Sequence, residues 1–236
     1  MRPFDNHTLS HRVLEHLRDE ILSNRLAPGT HIQEEVVAAA LRISRAPVRE
    51  ALRLLAAEDL VTITPRRGAI VKVLSPQEFL AAYQVREALE VLAIRLAVPR
   101  LTADDLLALR DLHEQMTACA ERADVRRFFE LNTAFHALLV ERSGNGRLQQ
   151  MYRQLMNQMR RYRMRSMALR GGLERSLTEH AALLEAIRRR DEDAAARLLS
   201  EHIQVPQRIL QASPDGELVQ VAAGRSSGVR EWRRRA

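Results

Sequence analysis

The sequence contains very little cysteine, aromatic residue or lysine. Its 236 residues include one cysteine, Cys119, which excludes an intramolecular disulfide and a cysteine-rich zinc site. Aromatic residues make up 4% of the chain, too few for an aromatic-rich β-sandwich or a platform that stacks nucleic-acid bases. No apolar run approaches the roughly 18–20 residues of a membrane span, and the N-terminus has no apolar stretch typical of a signal peptide. We therefore expect a cytoplasmic protein with no membrane partner.

The composition favours a folded protein that carries excess positive charge. Hydrophobic residues make up 46% and charged residues 28% of the chain, which is enough for a sizeable core. The net charge is +7, and all basic residues except Lys72 are arginine. Because arginine and alanine both rise in GC-rich genomes, the position of the arginines is better evidence for a nucleic-acid partner than their number.

The periodicity near the N-terminus changes from helical to strand-like. It predicts a first helix that starts near Leu9 and is ended by the residues 26–29, further helices at 34–41 and 44–59, and strands at 61–64 and 69–73. Ser44 suits the N-cap of the third helix, and Pro65 to Gly68 suit a turn between the strands. Three helices followed by a β-hairpin wing predict a winged helix-turn-helix domain at 6–74.

The rest of the chain has only helical patterns until its polar end. The predicted helices lie at 76–98, 103–122, 124–142, 146–170, 173–190 and 192–210. Thr102 and Asp105 can cap the second of these, and Pro206 should kink or end the last. We therefore predict a mainly α protein, with an all-α six-helix domain at 75–211 and a flexible basic tail at 212–236.

The third helix has an arginine face that suits DNA. Arg45, Arg49 and Arg53 are spaced four residues apart, opposite an apolar face. An arginine near the start of such a helix can donate two hydrogen bonds to guanine in the major groove. The predicted wing adds Arg66, Arg67 and Gly68. The alternative is a solvated face with internal ion pairs, such as Glu50 with Arg53.

The motifs of this half resemble the DNA-binding domain of the GntR family of bacterial regulators. They are LAPGT at 26–30, SRAPVREAL at 44–52, LLAAEDLV at 54–61 and RGAIV at 67–71. The resemblance implies that DNA is contacted by Ser44, Arg45, Ala46, Pro47 and Arg49, with Gly68 at the wing tip. Arg42 and Asp59 stand where many members have glycine. Glu35 stands where some members place an arginine on DNA.

Four polar residues of the helical half can meet in its interior. Asn132 and His136 are four residues apart on one helix, and His180 and His202 lie on two later helices among apolar neighbours. Three imidazoles and one oxygen ligand suit zinc, nickel or a similar divalent ion. The alternative is that each histidine is separate and satisfied by a partner of its own.

This half resembles the FCD effector domain of the FadR subfamily, in a VanR-like branch with six helices. The motifs are YQVREALE at 83–90, NTAFHALL at 132–139, SGN at 143–145, and the pairs Glu179-His180 and Glu201-His202. The resemblance implies a divalent metal held by Asn132, His136, His180 and His202. Asn132 replaces the aspartate that many such sites have, which makes the site less negative.

Arginines in the helical half raise further possibilities. Arg86 lies in an apolar stretch, so we expect it either to clamp an effector carboxylate or to pair with Glu87 or Glu90. The segment 147–170 has seven arginines and no acid. We favour a solvated face for these over extra attraction to DNA, or over a single residue such as Arg163 facing the pocket.

These observations predict a ligand-responsive regulator and not an enzyme. We expect a homodimeric repressor that binds double-stranded operator DNA and is released by a small organic acid at a metal-containing pocket. One alternative is a metal-dependent helical enzyme fused to a DNA-binding domain. It lacks an obvious general base, since Glu179 and Glu201 are expected to point elsewhere. The other alternative is a DNA-binding protein with a vestigial pocket.

Overall fold

The computed structural model describes residues 8–64, 68–167 and 171–212. The chain divides into two compact units, with the boundary between Ser75 and Pro76. Arg66, Arg67 and the predicted tail beyond Ala212 lie outside the described residues. In the described ranges, no helix is both long and apolar enough to cross a membrane.

The N-terminal unit is a winged helix-turn-helix. Its elements in chain order are α1 (Leu9–Leu22), β1 (His31–Ile32), α2 (Glu34–Leu41), α3 (Arg45–Ala57), β2 (Val61–Thr64) and β3 (Gly68–Val71). The strands form an antiparallel sheet in the order β1-β3-β2, with Ile70 opposite both His31 and Thr62. Leu17, Val48 and Leu55 are fully buried in one core that the helices and the sheet share.

Three described non-glycine residues in this unit adopt the left-handed conformation, and the first of them is Asn24, with φ +61°. Arg42, which ends α2, has φ +54°, and Asp59 has φ +59°. Arg42 and Asp59 stand at the two positions where the resemblance implies glycine, and each has the positive φ that glycine adopts most readily. Ser44 occupies the predicted N-cap of α3, but its side chain makes no capping hydrogen bond.

The C-terminal unit is entirely helical over its described residues. It contains α4 (Pro76–Ala97), α5 (Ala103–Glu121), α6 (Val125–Arg142), α7 (Gly146–Met167), α8 (Gly172–Arg188) and α9 (Glu192–Ala212), with a 3₁₀ turn at Val98–Arg100. Thr102 and Asp105 form the predicted capping box at the start of α5. Phe79, Phe128 and Phe135 are fully buried in the core. The predicted fold class is therefore confirmed.

Pro206 does not end α9, which was one of the two outcomes predicted for it. The helix continues through Pro206 to Ala212. A proline lacks its own backbone N–H and its ring crowds the carbonyl group four residues earlier, but the other helical hydrogen bonds can form on both sides of it. Buried residues of α9, such as Leu199 and Ile203, also hold this helix in the bundle.

Candidate functional sites

Three histidines from three different helices meet in the C-terminal unit. His136 lies on α6, His180 on α8 and His202 on α9, and one ring nitrogen from each lies within 4.8 Å of the others. His136 and His180 are buried, and His202 is nearly so. The apolar neighbours of each histidine turn these faces into the bundle, which is why residues so distant in sequence meet.

Each of these imidazoles has a hydrogen-bond acceptor at its Nδ1 atom. The Nδ1 atom of His136 lies 2.5 Å from Oε2 of Glu90, and that of His202 lies 2.6 Å from Oε2 of Glu179. The Nδ1 atom of His180 lies 2.7 Å from the carbonyl oxygen of Ser176. Since a neutral imidazole carries one proton, a proton on Nδ1 leaves Nε2 unprotonated, as a metal ligand requires.

Other features of the triad also fit a metal. Nε2 of His136 is buried and has no hydrogen-bond partner among the described residues. Burial lowers the pKa of all three imidazoles. For His180 and His202 the pKa lies well below its usual range, first because of burial and then because neighbouring groups would repel a positive charge on the ring. A lowered pKa favours the neutral imidazole, which is the form that binds a divalent ion.

Asn132 lies at the triad, but its two polar atoms already have partners. Its Nδ2 atom lies 3.2 Å from Nε2 of His180, and its Oδ1 atom accepts a hydrogen bond of 3.3 Å from Nη2 of Arg163. To act as a metal ligand through Oδ1, the amide would have to turn its NH₂ group towards the Arg163 guanidinium. Two donors facing each other repel, so Arg163 opposes this rotation.

Arg163 is buried, which contradicts for this residue the solvated face favoured for the segment 147–170 and agrees with the alternative that Arg163 faces the pocket. It is 2% exposed and lies within hydrogen-bond distance of Asn132. Its guanidinium also lies over the Phe129 ring, 5.3 Å from the ring centroid. A signal for this position exists in the sequence. Tyr152, Met156 and Met159 precede it at helical spacing, so Arg163 continues a buried stripe of α7.

Arg86 is buried beside the triad and pairs with Glu90, one of its two expected partners. Nε of Arg86 lies 2.6 Å from Oε1 of Glu90, whose other oxygen contacts His136. The other expected partner, Glu87, accepts hydrogen bonds from Ser200 and Gln204. Nη2 of Arg86 is buried and has no hydrogen-bond partner in the described part of the chain.

Glu90 is a charged carboxylate in a buried setting. Burial by itself would raise the pKa of Glu90, but Arg86 and His136 together lower it well below its usual range. Burial also lowers the pKa of Arg163, and the nearby Arg86 lowers it further. One carboxylate therefore balances two buried guanidinium groups, which leaves local positive charge for an anion to neutralise.

A small recess connects these groups. Its lining includes Arg86, Asn132, Arg163, Arg175, Glu179 and His202. Burial raises the pKa of Glu179, and this carboxylate, expected to point elsewhere, is hydrogen-bonded to His202. It contacts the ring at Nδ1, on the side away from the nitrogen that can bind a metal. This is a position that orients the ring.

The expected DNA-contacting residues lie at the exposed start of α3. Ser44, Arg45, Ala46, Arg49 and Arg53 are exposed and Pro47 is partly buried. Val48, Ala51 and Leu55 form the buried opposite face. The alternative of internal ion pairs is partly realised with other partners: Arg45 pairs with Glu35 and Arg49 with Glu34, while Glu50 accepts a hydrogen bond from Ser10.

Gly68 begins β3. Its φ is +96°, and a Cβ atom placed there would lie 2.1 Å from the carbonyl oxygen of Ile32. Only glycine can therefore occupy this position without a shift of β1. The fixed backbone here sets where the expected wing leaves the sheet.

Family comparisons assign both units. Residues 9–71 match the bacterial regulatory proteins of the gntR family, and residues 81–205 match the FCD domain. The chain belongs to the GntR family. Its GntR region is the winged helix-turn-helix through which this family binds DNA, and this GntR protein is a transcriptional regulator, as the resemblance predicted.

The chain is similar to named transcriptional repressors, and to a solved structure, over most of their length. The HTH-type transcriptional repressor RspR of Escherichia coli K12 is 31% identical over 197 residues, which cover 83% of this chain and 86% of RspR. The repressor GlaR of the same organism is 28% identical, over 85% of this chain and 94% of GlaR. The solved structure of E. coli McbR/YncC is 26% identical and superposes with a TM-score of 0.73, covering 87% of this chain and 98% of its own.

Proposed function

We propose that this regulator is a homodimeric repressor that releases operator DNA when a small organic acid binds in the C-terminal unit. We further propose that the acid binds beside a divalent metal, most simply zinc or nickel. His136, His180 and His202 would hold the metal. Such a metal would supply a cationic centre with positions open to a carboxylate oxygen. The names of the related repressors support the direction of regulation.

The observation that carries this proposal is the pattern of hydrogen bonds around the triad. All three Nδ1 atoms have acceptors, while the Nε2 atom of His136 has none among the described residues. Separate structural histidines would not need to bring one ring nitrogen each within 4.8 Å of the others. This pattern instead matches rings whose outer partners orient them for a metal.

Charge around the recess supports an anionic effector. Arg86 and Arg163 are both buried, and Nη2 of Arg86 and Nε of Arg163 have no hydrogen-bond partner in the described ranges. A carboxylate would satisfy such donors with charge-assisted hydrogen bonds. Asn132 adds no negative charge to oppose it. We propose that Arg86 binds the effector carboxylate. Asn132 would bind the metal only if its Oδ1 atom gave up the hydrogen bond from Arg163.

A thermal-shift screen of small carboxylic acids tests this function. The full chain is measured after loading with zinc or nickel and after EDTA treatment. An acid present at about 100 times its dissociation constant should add roughly 2.7 kcal/mol to the free energy of unfolding. We expect a shift only in the metal-loaded protein. Equal shifts with and without metal, or none in protein shown to contain metal, would contradict the proposal.

Two histidine variants distinguish the loss of a proposed metal ligand from a general effect of removing a histidine. His202→Ala removes one proposed ligand, whereas His113→Ala removes a histidine whose Nε2 atom lies 3.2 Å from the Leu177 carbonyl oxygen. We expect His202→Ala to bind less than one metal per chain and His113→Ala to keep full stoichiometry. The enzyme alternative would require turnover of an acid in the screen. The vestigial-pocket alternative would require unchanged operator binding with every acid.

A further inference from the structure

The arginines expected to read DNA are held by two glutamates of the preceding helix. Nη1 of Arg45 lies 2.7 Å from Oε1 of Glu35. Nε of Arg49 lies 3.1 Å from both oxygens of Glu34, and its Nη2 lies 2.9 Å from Oε2. Adjacent residues at the start of α2 thus engage arginines one turn apart on α3. Arg53, one turn further, has no acidic partner among the described residues.

The two pairs line one concave surface of the N-terminal unit. His31, Gln33 and Gly68 complete the lining beside the four charged residues. Glu34 and Glu35 lie in the first turn of α2, where the helix dipole favours negative charge, so both carboxylates are stable there without the arginines. Four formal charges therefore cancel on the face that the family presents to DNA.

These pairs are weak enough to open. Arg45 and Arg49 are more than half exposed, and exposed ion pairs contribute about 0–1 kcal/mol. The pairs still affect binding, because a guanidinium that moves to a phosphate leaves behind a carboxylate that the same phosphates repel. Contact with the DNA backbone alone therefore returns little free energy.

The edges of DNA bases can replace both partners of an ion pair, which phosphates cannot do. A guanine accepts two hydrogen bonds from an arginine, and a glutamate can accept one from the amino group of cytosine. At a suitable sequence, both members of each pair can find new partners. At an unsuitable sequence, the arginine contacts only phosphate and the glutamate has no new partner.

We infer that Glu34 and Glu35 are specificity-determining residues, which suppress non-specific binding by holding Arg49 and Arg45 until base edges replace them. This inference rests on the proposed assignment of α3 as the DNA-reading helix. It concerns discrimination between sequences, and it is independent of the metal and of the effector.

The test compares binding to preferred and to scrambled DNA. The wild-type chain first selects duplexes from a randomised pool, and the best duplex and a scrambled duplex of equal length and composition then serve as probes. Dissociation constants are measured at several salt concentrations for wild type, Glu34→Gln, Glu35→Gln and the double variant. Glu15→Gln is the control, since Glu15 carries the same charge but pairs with Arg18 on α1.

We expect each α2 variant to bind the scrambled duplex about 3- to 10-fold more tightly and the selected duplex with a smaller gain or a loss. The salt dependence on scrambled DNA should steepen by about one released ion per substitution. The control should change both affinities equally. Equal tightening on both probes by the α2 variants, or no change on either, would overturn the inference.

The same experiment gives a different result if α3 is not the DNA-reading helix. A wild-type chain that enriches no sequence would refute α3 as a reading helix and the inference with it. Wild-type enrichment with an unaltered specificity ratio in the double variant would refute the glutamate role alone. Melting curves followed by circular dichroism confirm that each variant is folded before its affinity is interpreted.

Discussion

Asn132 makes the proposed metal site less negative than an aspartate would, because its side chain has an NH₂ group where aspartate has a second oxygen. Replacing it with aspartate adds one negative charge and a second oxygen within the triad. We expect Asn132→Asp to bind zinc or nickel about tenfold more tightly, since opposite charge strengthens coordination. We also expect it to bind carboxylic acids more weakly. Competition with a chromophoric chelator measures the first effect and thermal shift the second.

A matched control for this change is Asn145→Asp. Asn145 lies at the α6–α7 turn, where its side chain accepts a hydrogen bond from the Leu148 backbone, so the variant adds the same charge away from the triad. Metal affinity should then match the wild type. If both variants gain equally, net charge explains the effect and Asn132 has no special role.

The sequence predicts part of this site, and the reason is visible residue by residue. Helical spacing brings Asn132 and His136 to one face, and apolar neighbours predict that His180 turns inward. Spacing does not reveal which ring nitrogen is free, because that depends on Glu90 and Glu179, which lie on other helices. The positive charge of the segment 147–170 favours a solvated face, but Arg163 continues the buried stripe of Tyr152, Met156 and Met159 and faces the recess, as the alternative prediction has it.

At the scale of elements, Arg42 ends α2 in a conformation that favours glycine. Its φ of +54° costs a side-chain-bearing residue about 1 kcal/mol. We expect Arg42→Gly to stabilise the N-terminal unit by about 0.5–1 kcal/mol. Urea unfolding followed by circular dichroism measures this difference. A loss of stability would show that the Arg42 side chain contributes more than its backbone costs.

Replacement of Gly68 should lower the stability of the N-terminal unit, whereas Arg42→Gly should raise it. A methyl group there would meet the Ile32 carbonyl oxygen, so Gly68→Ala must displace β1 or β3. We expect a loss of about 1–3 kcal/mol from the same unit. Gly146→Ala is the comparison, because a Cβ atom there has no neighbour within 4 Å among the described residues. Equal stability of both variants would contradict the strain argument.

Long periodic elements were predictable and the shortest one was not. The six helices of the C-terminal unit follow from apolar spacing and from punctuation such as Thr102 and Gly171. The strand β1 has two residues, too few for any periodicity, and it exists because β3 offers a free edge to His31 and Ile32. Such a strand depends on its tertiary partner and not on its own sequence.

At the scale of the whole molecule, the buried histidines make stability depend on pH. Their pKa values are lower in the folded chain than the value of about 6.5 expected after unfolding. Below about pH 6.5 the unfolded chain therefore binds protons that the folded chain excludes. The stability they contribute is present above pH 6.5 and is lost as the pH falls, by at most about 1.4 kcal/mol per pH unit for each histidine.

Urea unfolding of EDTA-treated protein between pH 5.5 and 8 checks this dependence. The sign is the same for Glu90, whose lowered pKa makes its own contribution fall away only at more acidic pH. His202→Ala should flatten the curve, and His113→Ala should leave it steep. A wild-type curve that is flat, or that rises towards acid, would contradict the neutral state of the triad.

The proline within α9 has a consequence for the histidine one turn before it. Pro206 has no backbone N–H to donate to the carbonyl oxygen of His202, so the backbone at His202 lacks one of the constraints that a continuous helix imposes. A small adjustment of that residue therefore costs little helical hydrogen bonding. The missing hydrogen bond of α9 thus falls at a residue proposed as a metal ligand, so the backbone that carries this imidazole can shift slightly while Leu199 and Ile203 stay packed in the core.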